Sequence, residues 1–198
     1  KKSSKLLLPS FDKENFKEFS DFKKLEINFS NRTYDICFIG HFEKDNRLDF
    51  LNEIIKSNKK VLIAGDDKWI NLLSKLKKKY SNLEVKGFLN SKDYAKQLSN
   101  SKSAICLFSK INSDILTRRI FEIPATATYL ISPSSYLIDK ELGKNNYISF
   151  GNLKELKLKI ENINSYFQDL NMIQNAHKIV WEKHNSYVRY NVVNDDLI

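Results

Sequence analysis

Only two cysteines occur in the 198 residues. Cys37 and Cys106 each lie inside an apolar run with no metal-ligand spacing around them, so both read as small core residues of a reducing compartment. Glycine is scarce, with five in all. No GxGxxG fingerprint and no GxxxxGK[ST] loop is present, which argues against a dinucleotide site of the usual kind and against a P-loop. No serine or cysteine occupies a nucleophile elbow, so hydrolase readings lack their central piece. Of the three histidines, His177 and His184 stand seven apart without a carboxylate or cysteine at ligand spacing, and both read as non-metal residues. There is no DxD pattern, internal repeat or low-complexity stretch. No apolar run approaches the length of a membrane span, and no signal peptide is visible. The chain begins with Lys rather than Met, so it reads as a piece of a longer protein.

What is present describes a folded domain. Hydrophobic residues make up 41% and aromatics 12%, too much for disorder and enough for one good-sized core. The formal net charge is +9. Two explanations stand side by side: a composition rich in Lys, Asn and Ile, and an anionic partner such as nucleotide phosphate, nucleic acid or acidic lipid. The lysines are scattered over helix faces among Glu and Asp. The densest run, Lys75 to Lys79, ends a helix, where cations suit the dipole.

Six short apolar runs alternate with amphipathic segments: Ile36–Gly40, Val61–Gly65, Leu83–Gly87, Ala104–Phe108, Tyr129–Ser132 and Tyr147–Phe150. Several are apolar on both faces, as strands between helix layers are. Three end in Gly, which permits a tight turn or the close approach of a ligand. Between them, Leu48, Leu51, Ile54 and Ile55 share a helical face, as do Trp69, Leu72, Leu73 and Leu76. Ser91 is expected to cap the helix of Tyr94, Ala95 and Leu98. A longer helix is expected over Leu156 to Phe167, and a last one from about Met172 to Lys183, breaking near His184. The alternation predicts an α/β fold: a Rossmann-like, doubly wound parallel sheet of about six strands with helices on both faces. Residues 1–32, with an apolar run at Leu6 and then a charged, turn-prone stretch, read as a linker entering the domain. Residues 33–170 read as the Rossmann-like domain, and 171–198 as a helical tail.

The segment Asp114-Ile-Leu-Thr-Arg-Arg-Ile-Phe-Glu122-Ile-Pro-Ala carries the most chemistry. It follows one strand pattern and precedes another, so it belongs at the carboxyl rim of a parallel sheet, where such folds hold their ligands. Two carboxylates eight positions apart bracket a basic pair, a combination suited to hydroxyl-rich and phosphate-rich ligands. A short helix is expected from near Asp114 or Thr117, with Pro124 in its last turn. Arg119 and Glu122, three apart, share a face. The plainer reading is a surface ion pair worth under about 1 kcal/mol; the functional one has Glu122 accept ribose hydroxyls while Arg119 binds phosphate. The first strand-to-helix turn, Gly40-His41-Phe42 with Arg47 beyond, offers backbone amides and a helix N-terminus to phosphate, and His41 could hydrogen-bond a leaving phosphate. Asp66 and Asp67 read as caps of the next helix rather than a metal site. Phe88 could cover a flat base or be plain core.

Thr117-x-Arg119-x-Phe121-Glu122-Ile123-Pro124-Ala125 resembles the motif of the CgeB-like branch of group 1 glycosyltransferases. The similarity extends to Asp35–His41 with Arg47, to Gly65-Asp66 with Trp69, to Tyr187 and Arg189 in the tail, and to Leu8-Pro9-x-x-Asp12-x-x-x-Phe16, which is similar to an interdomain linker. The resemblance implies a GT-B fold, of which this chain is the C-terminal, donor-binding half, inactive alone. It implies a metal-independent enzyme without a cofactor that transfers sugar from a nucleoside-diphosphate sugar. The glycan, lipid-linked or protein acceptor would come through an N-terminal half. It implies that Glu122 holds the ribose, that Asp114 contacts the donor sugar with a reach one methylene shorter than the family's Glu, that Arg119 and Arg47 hold the diphosphate, and that His41 and Gly40 form the phosphate turn. Ala127-Thr128 replaces the family's Gly-Gly, which is expected to narrow the space near the donor. The expected location is cytoplasmic, with a peripheral contact on the inner membrane face. The alternatives are a Rossmann-like binding module without catalysis and a basic nucleic-acid-binding domain; for the latter no aromatic-basic stacking motif is present, and no nucleic-acid partner is expected.

Overall fold

The computed structural model describes residues 7–195; Leu6, where the apolar run of the entry segment begins, lies outside them. Six parallel strands form one sheet: β1 (Tyr34–Ile39), β2 (Val61–Ala64), β3 (Leu83–Lys86), β4 (Ser101–Ile105), β5 (Tyr129–Pro133) and β6 (Ile148–Phe150). Their spatial order is β3-β2-β1-β4-β5-β6. Strand order reverses between β1 and β4, which opens a crevice at their carboxyl ends.

The helices are α1 (Phe22–Ile27), α2 (Arg47–Lys56), α3 (Asp67–Lys79), α4 (Ser91–Ser99), α5 (Arg119–Ala125), α6 (Tyr136–Leu142), α7 (Leu153–Glu161), α8 (Ile163–Tyr166), α9 (Asn171–Lys183) and α10 (Ser186–Asp195). Two cores result, one on each face of the sheet. Ile36, Phe38, Val61, Ile63 and Ile105 face α2, α3 and α7. Their alternates Cys37, Leu62 and Ala104 face α4, α5 and α6. The period of two along each strand supplies both cores at once. Among the described residues no helix is long and apolar enough to cross a membrane.

Among the boundaries that differ from the sequence reading, three have a local polar reason. β4 starts at Ser101 and ends at Ile105, three residues ahead of the apolar run. Ser101 Oγ donates to Gln97 O (2.8 Å) and Ser103 Oγ to Asp35 O (2.7 Å), so two buried hydroxyls are satisfied in a strand that hydrophobicity alone starts too late. The cap of α4 is Asn90, whose side chain accepts from Asp93 N at 3.0 Å, while Ser91 is already helical. The long helix expected over 156–167 breaks at Asn162, whose Nδ2 donates to Leu158 O (2.9 Å) and ends α7.

The entry segment is folded onto the body. Phe11, Phe16, Phe19 and Phe29 are buried. Phe11 N donates to His184 O (3.1 Å) and Phe11 O accepts from Ser186 N (2.9 Å). The tail residues named by sequence complete this strap: Tyr187 Oη donates to Glu14, and Arg189 Nε donates to Leu8 O (3.0 Å). Arg189 also meets His184 Nδ1 at 2.7 Å. A guanidinium can only donate, so that ring nitrogen is an acceptor and the imidazole is neutral. Burial, then the Arg189 charge, push the His184 pKa down to about 4. The same ring stacks on Phe121 at 4.1 Å, which ties the strap to α5.

One close approach sets the rim of the sheet. Gly40 N donates to Ala64 O (2.9 Å), and Trp69 Nε1 donates to Gly40 O (2.8 Å). A Cβ on Gly65 would be driven into the Gly40 carbonyl and would stand 2.9 Å from Trp69 Cδ1. Gly87 has only ordinary contacts, the nearest at 3.7 Å. Gly65→Ala is therefore expected to cost about 2 kcal/mol through overpacking. Gly87→Ala should stay within about 1 kcal/mol of the unaltered chain, on the stabilising side. Urea unfolding of the two variants side by side checks this; equal losses would show that the close approach does not matter.

Candidate functional site

A cavity of about 550 Å³ opens at the carboxyl rim and spans the β1, β2 and β3 ends and the first turns of α4 and α5. Arg119 and Glu122 both line it.

Helix α5 begins at Arg119, later than the sequence suggested. The residues before it make a separate turn: Asn112 N donates to Ser109 Oγ (3.0 Å), Asp114 N to Ser109 O (2.9 Å), and Ser113 adopts a positive φ of 53°. Pro124 lies in the last turn, as expected, and every residue from Ile120 to Ala125 is buried.

Glu122 is only 8% exposed. Tyr94 Oη donates to its Oε2 at 2.8 Å. Arg118 Nε stands 3.7 Å from Oε1, so the ion pair within the helix is the i,i+4 one rather than the expected Arg119–Glu122. Burial raises the Glu122 pKa; the Tyr94 hydroxyl and the two arginines work against that rise. Burial, then the Glu122 charge, hold the Tyr94 phenol well above its ordinary range, so it remains a donor.

The Arg119 guanidinium lies against Gly40 instead. A Cβ at Gly40 would come within 3.1 Å of Nη2. Gly40 thus contributes room for a cation beside the turn after β1, while its own amide is used by Ala64. The next amide but one, Phe42 N, donates to Asp66 Oδ2 (3.0 Å). Asp66 sits at the N-cap position of α3, but its side chain makes no capping bond there. His41 lies between these two anchored residues, exposed, with Nδ1 3.8 Å from Asp66 Oδ2.

Arg47 does not reach the cavity wall. It is 3% exposed and meets Glu43 (2.9 Å), Asp45 (3.3 Å) and the His41 carbonyl (2.9 Å). Glu43 in turn accepts from Ser109 Oγ (2.7 Å). The guanidinium is consumed in stapling the loop after β1 to the loop after β4, which positions both His41 and the turn carrying Asp114. Asp114 and Thr117 are not among the cavity-lining residues; Thr117 Oγ1 lies 3.5 Å from Cys106 Sγ. Phe88 is 77% exposed at the cavity edge, which overturns its reading as plain core.

Ala127 and Thr128 are placed at the opposite end of the sheet. Thr128 Oγ1 accepts from Arg32 Nη1 (3.0 Å), which also donates to Ser101 O (3.0 Å) at the amino end of β4. Their side chains therefore do not narrow the cavity, contrary to expectation. Ala127 holds the left-handed conformation (φ 51°) that glycine would take without strain.

Sequence reasoning missed Arg118, Tyr94 and three residues of the entry segment, Asp12, Asn15 and Phe16, all on the cavity wall. The i−4 spacing from Glu122 could have found Arg118; nothing local marks the others. Among the described residues no three His, Cys, Asp or Glu side chains cluster as a metal site.

A family model described as glycosyl transferase-like matches residues 47–193. No curated protein matches the chain. Among solved structures, Anabaena HepE in complex with UDP and glucose is similar at 10% identity and a TM-score of 0.68, over 95% of this chain and 55% of that one. Sucrose-phosphate synthase from Thermosynechococcus elongatus gives 12% identity and 0.68, over 96% and 51%. A glycosyltransferase from Rickettsia africae gives 16% and 0.66, over 96% and 56%. At these identities the likeness establishes the fold. The chain spans about half the length of each.

Two outcomes test the site as built. Arg47→Ala leaves two carboxylates without their shared cation and is expected to cost about 3 kcal/mol in stability, measured by urea unfolding without ligand; unchanged stability would return Arg47 to a ligand role. The pKa of Glu122 is raised on folding, so its contribution is full below its ordinary value of 4.5 and is lost as pH rises through the higher folded value. Glu122→Gln removes that loss. Its melting temperature should exceed that of the unaltered chain at pH 8, with the gap closing toward pH 4.

Proposed function

Because the chain belongs to the glycosyl transferase-like family, we propose that it is the donor-binding half of a two-lobed GT-B glycosyltransferase of the CgeB-like branch. It holds a nucleoside-diphosphate sugar while a second lobe presents the acceptor. The observation that carries this reading is the shared cavity of Arg119 and Glu122 at the reversal of strand order. Support also comes from HepE, a protein of the same fold that holds UDP-glucose.

In this reading the Glu122 carboxylate accepts hydrogen bonds from the ribose hydroxyls, held in place by Tyr94. The hydroxyls would satisfy a carboxylate already removed from water, which makes the interaction strong for its size. The diphosphate lies between Arg119 and the His41 loop. Cleavage of the bond between sugar and diphosphate leaves negative charge on the departing phosphate. Arg119, packed against Gly40, and His41, on a loop anchored at both neighbours, stand beside that position before the reaction and stabilise the charge. We assign this work to the protein's own cations and expect no metal. Asp114 remains our candidate for the donor sugar, approached from the diphosphate end, since its turn is stapled to the His41 loop through Ser109 and Glu43. Arg47 and Thr117 act from behind the wall. The acceptor is a glycan, a lipid-linked sugar or a protein, and the surplus of positive charge suits an anionic membrane surface on the cytoplasmic side.

Titration calorimetry of the chain with millimolar UDP and GDP should give heat with at least one of them. Glu122→Ala should weaken that binding about 10- to 100-fold, as expected for loss of hydrogen bonds to a charged group. With the second lobe restored, the same variant should lose transfer activity. Silence with both nucleotides, or full activity of Glu122→Ala, would overturn the reading.

A further inference from the structure

One wall of the cavity comes from the entry segment rather than from the sheet. Asp12, Asn15 and Phe16 line it together with Phe88, Leu89 and Asn90. Contacts along the cavity give its polarity. Arg119 lies against Gly40 at the phosphate turn. Glu122 is bonded to Tyr94. Phe16 then meets Tyr94 edge-on, with ring centroids 6.4 Å apart. The entry segment therefore stands beyond the ribose position as seen from the diphosphate, where a nucleotide places its base.

The charge on that wall is negative. Asp12 presents a carboxylate held in a tight turn, with Oδ1 accepting from Glu14 N (3.0 Å) and Oδ2 from Asn15 Nδ2 (2.7 Å). One N–H of Asn15 Nδ2 is spent on Asp12, which leaves its carbonyl oxygen as an acceptor beside the second N–H. Both residues then offer acceptors, and one is charged. The hydrogen-bonding edge of guanine carries two adjacent donors, the ring N1–H and the exocyclic amino group. The edge of uracil carries a single N–H between two carbonyl oxygens, which would meet the carboxylate as like charges. Adenine and cytosine present an amino group next to a ring acceptor. Only guanine pairs two donors with two acceptors.

We infer that the donor is a guanosine-diphosphate sugar and that Asp12, with Asn15, reads the base; this rests on the donor-site reading above. The strap between entry segment and tail gives the reader its rigidity. Lys13 N donates to Ser186 Oγ (3.2 Å) and the Phe11 backbone is bonded on both sides of the same turn. Asp12 is exposed but held by its own turn, so its oxygens are preorganised for a base that can donate to both.

The test is calorimetric titration of the full 198-residue chain with GDP, UDP, ADP and CDP. GDP should bind at least about tenfold more tightly than the other three, the expected margin for hydrogen bonds to a charged group. Asp12→Asn keeps the turn, since an Asn oxygen can still accept from the Glu14 amide, yet it removes the charge. It should lower GDP affinity about tenfold and leave UDP affinity equal or improved. Asn15→Ala should shrink the preference in the same direction. UDP binding as tightly as GDP, or Asp12→Asn weakening all four equally, overturns the base assignment alone. Heat from none of the four overturns the donor site and this assignment together.

Discussion

The buried carboxylate of Glu122 is the constraint around which the rest of the structure is arranged. Taking such a group out of water costs several kcal/mol unless partners are fixed around it. Here the partners come from two elements: the Tyr94 hydroxyl on α4, and Arg118 at the start of α5. They can serve only if α5 does not move. Its six consecutive buried residues, the bond from Trp181 Nε1 to Ala125 O (3.1 Å) and the stack of His184 on Phe121 all fix it. The tail and entry segment, far from the cavity in sequence, thus act on the acid through packing.

A second layer of organisation lies in the loops at the rim. Arg47 draws Glu43, Asp45 and the His41 carbonyl together, and Glu43 passes the connection to Ser109. Two loops that follow adjacent strands therefore move as one. Cations placed at a concave, partly dehydrated surface attract an anionic ligand more strongly than the same charges spread over a helix face. Arg119 meets that description, whereas the lysines of α3 do not line the cavity. The large net charge and the site are separate matters.

Legibility in the sequence followed the range of the interaction. Strand number and the parallel arrangement were readable because burial between two helix layers leaves runs such as Val61–Ala64 apolar on both faces. The pairing of Arg119 and Glu122 in one cavity was readable because helical spacing and position after a strand are local facts. Arg47 was misjudged for the opposite reason: an arginine at a loop-helix junction looks the same whether it faces a ligand or two carboxylates of its own loop. For Phe88 both readings stood open, since an aromatic after a strand does not reveal which side it turns to; the structure puts it at the cavity edge. Tyr94, spaced as part of an apolar helical face, carries a hydroxyl whose partner lies 28 positions away.

By itself, the sequence determined the six-stranded α/β fold, the helix break at His184 and the acid and base that share one face of α5, because each follows from periodicities of two or 3.6 residues and from backbone sterics. Tertiary structure alone decided that Arg47 is spent on holding loops and that Asp12, Asn15 and Phe16 reach the cavity wall. Those outcomes depend on distances between segments that strand order brings together, and no local pattern encodes such distances.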